Sequence, residues 1–120
     1  MADILKELDR IGAETEDALE RFMDDKEMYL KYVRAFPDEP TMAALTKAVE
    51  AKDYDAAEKS VHALKGIVNN LGFLPLADAT VDMLAELRAG NTEDALDAYE
   101  DVEKEYKRFC GVIEAWRKNA

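Results

Sequence analysis

Apolar residues recur along the chain at intervals of three and four, and runs of β-branched residues are absent. This spacing predicts amphipathic α-helices rather than strands. The first predicted helix runs from Ile4 to Ile11 and ends near Gly12. A second short segment begins with Thr15 as its cap and reaches Met23. The chain therefore opens with two short helices.

Two longer amphipathic segments follow. Asp24, with Glu27 three residues later, indicates a helix start related to the capping box, and Pro37 ends that helix. The apolar positions of this helix are Met28, Tyr29, Tyr32, Val33 and Phe36. Pro40–Thr41 starts the next helix, which has Met42, Leu45 and Val49 inward and ends before Lys52–Asp53.

The next predicted helix lies in the middle of the chain. Asp53 or Asp55 caps its beginning, and it runs to about Leu71 before a break at Gly72. Pro75 suits the first turn of the helix after it. These two segments are separated by only a few residues, which favours antiparallel neighbours.

The last helix follows another short connection. Gly90 is well placed to cap the preceding helix, and Asn91 starts the final one. At 120 residues the chain has room for one hydrophobic core. We therefore predict a single all-α domain over residues 1–120, an up-down antiparallel four-helix bundle with short additional N-terminal helices.

The net charge of -11 limits the classes of partner that we expect. A nucleic-acid interface needs a basic patch, and an anionic membrane surface also attracts basic segments, so neither partner is expected. The acidity serves either solubility or attraction to a partner with a basic rim. No apolar run is long enough to span a membrane, and Met1–Lys6 does not resemble a signal peptide. Because Cys110 is the only cysteine, an internal disulfide is impossible, and we expect a reducing cytoplasm as the location. We also expect a monomer.

Candidate chemistry lies on the helix that ends at Leu71. At about 100° per residue, one apolar stripe faces the core: Ala57, Val61, Leu64, Val68 and Leu71. His62 then lies about 140° from the centre of the stripe, with Gly66 one turn further on and Asn69 close beside this line. Lys65 lies on the flank between the two faces. The only histidine of the chain is therefore expected in solvent, in the middle of a helix.

A lone histidine on a helix surface has no function in most proteins, so its neighbours matter. A glycine inside a helix costs about 1 kcal/mol relative to alanine, which indicates that Gly66 has a packing or access role. A glycine at this position leaves the imidazole of His62 open to another protein. Lys65 places a positive charge within reach of an anion on the imidazole, and lysine binds phosphate well.

Two stretches of the chain resemble a known family. His62-Ala63-Leu64-Lys65-Gly66, followed at the matching distance by Leu71-Gly72, resembles the signature of histidine-containing phosphotransfer (HPt) domains, His-x-Leu-Lys-Gly with a downstream apolar-Gly pair. The segment Phe22-Met23-Asp24-Asp25-Lys26-Glu27-Met28-Tyr29-Leu30 is similar to the family's entry into its second bundle helix. The order and length of the helices match over nearly the whole chain.

The resemblance implies a phosphoryl carrier in a two-component phosphorelay. His62 would accept the group through Nε2 from the phosphoaspartate of a receiver domain and pass it to a second receiver. Lys65 would neutralise the phosphoryl charge, and Gly66 would give clearance for docking. Asn69 and Arg88 are possible neighbours of the phosphoryl group, with solvent and the helix dipole as their ordinary roles. No cofactor or metal is expected on this chain, because in the family the receiver holds the Mg²⁺.

An enzyme, an adaptor and a family member without transfer are the alternatives to a phosphoryl carrier. The glycines form no phosphate-binding loop for a kinase, one histidine excludes a di-iron bundle, and Cys110 lacks a base, so the chain is not expected to be an enzyme. The stronger alternative is a non-catalytic acidic helical adaptor. It would need a broad exposed apolar patch independent of His62. The modest candidate is Ile67 with Phe73 and Leu74, and these lie close enough to His62 to serve receiver docking instead. A family member that binds receivers without transfer is disfavoured by the intact signature.

Overall fold

A computed structural model describes residues 3–119, and they form helices with no strand. The seven α-helices are α1 Ile4–Arg10, α2 Thr15–Arg21, α3 Lys26–Ala35, α4 Thr41–Glu50, α5 Tyr54–Leu71, α6 Leu74–Arg88 and α7 Thr92–Lys118. A 3₁₀ turn, Phe36–Asp38, joins α3 to α4. The all-α fold predicted from the sequence is confirmed. The predicted domain covers residues 1–120, and the expectation about a signal peptide concerns Met1–Lys6. Residues 1, 2 and 120 of these ranges lie outside the described part of the chain.

The main helices pack in chain order. α4 lies against α5, α5 against α6, and α6 against α7, each pair joined by a connection of two or three residues. Such short connections place consecutive helices antiparallel. α3 contacts both α5 and α7, whereas α1 packs on α7 and α2 packs on α5. The bundle therefore consists of α4–α7, and the three preceding helices cover one end of it.

One continuous cluster of buried side chains fills the centre of the bundle. Three phenylalanines join its parts: the Phe73 and Phe109 rings stack with centroids 4.5 Å apart, and Phe36 meets Phe73 edge-on at 5.2 Å. Phe73 has no exposed surface. The expected surface patch of Ile67, Phe73 and Leu74 is therefore wrong for Phe73, because the short connection before α6 turns its ring into the core.

Two helix starts differ from the predictions. Asp25, not Asp24, caps α3: its carboxylate accepts a hydrogen bond from the Met28 amide at 3.1 Å. Asp24 has a left-handed backbone with φ of 60° and belongs to the turn before the helix. Thr15 is the first residue of α2 rather than its cap, since its hydroxyl donates to the Asp9 carboxylate at 2.8 Å.

The limits of the central helix are confirmed. Asp53 caps α5 by accepting a hydrogen bond from the Ala56 amide at 3.1 Å, which decides between the two predicted caps. The helix ends at Leu71, and Gly72 follows in the left-handed conformation with φ of 77°. α3 ends at Ala35, just before the 3₁₀ turn that contains Pro37.

Candidate functional site

The apolar stripe of α5 is buried as predicted: Ala57, Val61, Leu64, Val68 and Leu71. Its burial fixes the rotation of the helix about its axis. His62 therefore lies on the exposed side of α5, near the middle of its 18 residues. The predicted exposure of His62 is confirmed.

Three of the predicted neighbours share this side of the helix. Gly66, one turn after His62, is exposed, and a Cβ added there would meet no atom within 4 Å. Lys65 is half-buried and Asn69 is exposed. Residues three and four apart on a helix have Cβ atoms about 5–6 Å apart, so Lys65 and Gly66 both adjoin His62. Within residues 3–119, His62 and Lys65 form no salt bridge and no side-chain hydrogen bond.

Arg88 is the last residue of α6 and is exposed. Because α6 runs back along α5 after the connection at residues 72–73, a rise of about 1.5 Å per residue leads us to expect Arg88 about 7 Å further along the bundle axis than His62. Its place in the last turn also suits a helix-dipole partner, so a role near the phosphoryl group stays a prediction.

Gly72 allows the C-terminal end of α5 to meet α2 closely. A Cβ at this position would lie 2.7 Å from the Glu14 carbonyl oxygen and 3.1 Å from the Ala18 Cβ. The Glu14 amide also donates a hydrogen bond to the Gly72 carbonyl at 2.8 Å. Both the contact and the left-handed backbone require glycine here. The close packing of α2 on the end of α5 therefore explains why glycine follows Leu71.

Side chains from α2 and α3 hold the last carbonyls of α5, which lack partners within the helix. The Arg21 guanidinium donates to the Asn69 carbonyl at 2.7 Å and to the Asn70 carbonyl at 3.3 Å. The buried Tyr29 hydroxyl donates to the Leu71 carbonyl at 2.7 Å, and burial raises the pKa of Tyr29, which keeps the donor protonated. No local pattern indicates these bonds, because they join residues more than 40 positions apart.

A groove of about 590 Å³ runs between α3 and α5 beside the line of His62 and Gly66. It is lined by Tyr32, Ala35, Phe36, Glu39, Ala63, Gly66, Ile67, Asn70 and Leu71. α3 buries Tyr29 and Val33, whereas Tyr32 is 51% exposed and Met28 is 47% exposed. Of these two exposed apolar residues, Tyr32 lines the groove.

The described part of the chain offers little to a metal ion, a membrane or a thiol-based reaction. Residues 3–119 contain no group of three or more His, Cys, Asp or Glu side chains that could hold a metal ion. None of the described helices is long and apolar enough to cross a membrane. Cys110 is buried, and burial raises the pKa of its thiol to about 11. The thiol therefore stays protonated near neutral pH and is a poor nucleophile.

The comparisons with known proteins agree with this architecture. The family model of the Hpt domain matches residues 4–112, from α1 into the second half of α7. The chain belongs to the Hpt domain family. Searches among curated proteins and among solved structures found no significant match. Hpt domains are phosphocarriers in phosphorelays and interact with receiver domains, so this Hpt domain has a role in histidine phosphotransfer.

Proposed function

We propose that this Hpt domain accepts a phosphoryl group on His62 from the phosphoaspartate of one receiver domain and passes it to a second receiver. The observation that carries the proposal is the position of His62. It is the only histidine of a histidine phosphotransfer domain, and it stands exposed in the middle of α5 beside the open space at Gly66. No other side chain of the chain offers an imidazole nitrogen.

The transfer exchanges one bond to phosphorus for another. Nε2 of the neutral His62 imidazole attacks the phosphorus in line with the bond to the aspartate oxygen. The N–P bond forms as the P–O bond breaks, and the aspartate leaves as a carboxylate with the electron pair of that bond. The second receiver reverses these changes with its own aspartate. The work of the carrier is therefore to present the imidazole unobstructed.

Lys65 has the position to stabilise the transferred group. It lies one turn from His62 on α5, and none of the carboxylates in residues 3–119 neutralises its ammonium. A lysine that is not already paired can attract the phosphoryl oxygens as a point charge. Asn69, two turns from His62, could contribute a hydrogen bond through its amide, and Arg88 a more distant charge.

The groove between α3 and α5 supports the view that the partner is a protein. Gly66 and Ala63 form its margin toward His62, so no bulky side chain of α5 separates the groove from the imidazole. An apolar surface of the receiver that covers Tyr32 and Ile67 would hold the phosphoaspartate over His62. Gly66 gives the clearance for this approach.

The chain acts in this proposal as a carrier rather than an enzyme. It supplies the nucleophile and the docking surface, while Mg²⁺ belongs to the receiver and no cofactor belongs to this chain. We place it in the cytoplasm as a monomer, and a single buried free cysteine is typical of that compartment. The exposed Tyr32 lines the groove beside His62, so this apolar surface serves receiver docking better than an adaptor function independent of His62.

A transfer assay tests this function. Purified receiver domains, phosphorylated with a radiolabelled small-molecule donor in Mg²⁺, are mixed with the chain and with a His62→Gln variant. We expect label on the wild-type chain from at least one receiver, none on the variant, and none on the chain from ATP alone. Equal labelling of the folded His62→Gln variant would refute the assignment.

A further inference from the structure

Charge is distributed unevenly over this acidic molecule. The chain carries a net charge of -11, yet α3 has three basic residues, Lys26, Lys31 and Arg34, against the single acidic Glu27. α5 has two acidic and two basic residues and is neutral overall. The remaining helices and connections therefore hold the whole excess of negative charge. α3 is the one described helix with a net positive charge, whereas α5 is neutral, as α1 and α4 also are.

Two lysines of these helices border the groove. Lys31 follows Met28 by three residues and precedes Ala35 by four, so it lies beside both on the outer edge of α3. Lys59 precedes Ala63 by four residues on the facing edge of α5. Ala35 and Ala63 line the groove, and both lysines are exposed. We call Lys31 and Lys59 the lysine rim.

The lysine rim is free to meet an external charge. Within residues 3–119, neither Lys31 nor Lys59 forms a salt bridge. Four basic residues away from the groove do form one: Arg10 with Glu7, Lys107 with Glu103, Arg108 with Glu105 and Arg117 with Asp38. The carboxylate that lines the groove, Glu39, is already hydrogen-bonded to the amide and hydroxyl of Thr41.

We propose that the lysine rim selects receiver domains whose docking face carries carboxylates at the edges of an apolar surface. This inference rests on the proposed function and adds the chemistry of the partner. The chain as a whole, with a net charge of -11, repels such a partner, whereas the lysine rim attracts it, so charge orients the encounter toward His62. A partner with a basic rim, which the overall charge favours, would instead be attracted to acidic surfaces away from the groove.

Charge at the rim of an interface acts mainly on the association rate and its salt dependence. The test uses the receiver domain that labels the wild-type chain fastest, activated with beryllofluoride, and measures its association with the chain by stopped-flow fluorescence. Lys31→Glu and Lys59→Glu should each slow association about three- to tenfold at low salt. The difference should vanish at about 0.5 M NaCl, where the screening length falls to a few ångströms.

Lys104→Glu on α7 provides the matched control. Lys104 is exposed and is not among the residues that line the groove. The substitution changes the net charge by the same amount as Lys31→Glu. We expect it to alter association less than twofold at any salt concentration. Equal slowing by Lys104→Glu would assign the effect to net charge and overturn the proposal.

The remaining outcomes separate this proposal from the proposed function. If the wild-type chain is labelled but Lys31→Glu associates as fast as wild type, the lysine rim has no role and the carrier function stands. If no receiver labels the wild-type chain, the carrier function itself fails, and the rim proposal fails with it. Thermal melting of each variant shows whether its fold is retained.

Discussion

Replacing Gly66 with glutamine should make the protein more stable and its function worse. The backbone of Gly66 is helical, it lies inside α5, and an added Cβ meets no atom within 4 Å. The only local effect is therefore the gain in helix propensity, about 0.7 kcal/mol for glycine to glutamine. For a domain of this size that raises the melting temperature by about 3 °C.

The same side chain should obstruct the receiver. Glutamine at this position projects between His62 and the groove, where the proposed docking surface has no bulk. We expect receiver affinity to fall by at least about tenfold, which corresponds to about 1.4 kcal/mol, and transfer at limiting receiver to fall with it. Calorimetric melting, receiver titration and single-turnover transfer measure the three quantities on the same preparations.

Gly111 supplies a matched control for this experiment. It also lies inside an α-helix, α7, is exposed, and has open space around an added Cβ. Gly111→Gln should give a similar rise in melting temperature and leave receiver binding unchanged. Normal binding and transfer by Gly66→Gln would show that this glycine has no access role and that docking over this face is wrong.

Three further predictions concern charge, backbone strain and the thiol. Lys65→Ala should slow transfer roughly ten- to a hundredfold in single-turnover assays while receiver affinity changes little, because one charge near a partly exposed phosphate contributes about 1–3 kcal/mol. Met23→Gly and Lys52→Gly should each raise the free energy of unfolding by about 1 kcal/mol in urea titrations, since both residues have positive φ, whereas Gly90→Ala should lower it similarly. A thiol reagent should modify native Cys110 at least about a hundredfold more slowly at pH 8 than the urea-unfolded chain, because burial raises the pKa to about 11, and faster reaction appears only as pH rises toward that value. Each argument has a contradicting result. These are a loss of receiver affinity in Lys65→Ala, an unchanged free energy of unfolding in Lys52→Gly, and rapid modification of Cys110 in the native chain.

The sequence predicted α5 and its orientation well because the determining signals are local. The stripe that ends at Leu71 follows helical spacing, Asp53 caps the first turn, and Gly72 terminates the helix. Burial of that stripe is enough to expose His62. The candidate nucleophile could therefore be placed from periodicity alone.

The groove was not predicted because it depends on contacts between distant segments. α3 has more apolar residues than its buried face can hold, and the spacing alone does not show whether Tyr29 or Tyr32 faces inward. The Tyr29 hydroxyl settles the choice by bonding to the Leu71 carbonyl, 42 residues away. Phe73 was misplaced for a similar reason, since its burial depends on Phe36 and Phe109.

The most direct test of the account is to locate the phosphoryl group after transfer. The chain is labelled from a phosphorylated receiver in Mg²⁺, separated at alkaline pH, and studied by ³¹P NMR and by peptide mass spectrometry under non-acidic conditions. The account predicts one phosphoramidate on the His62 peptide, stable in alkali and lost in acid. A label that survives acid, lies on another residue, or persists in the folded His62→Gln variant would contradict it.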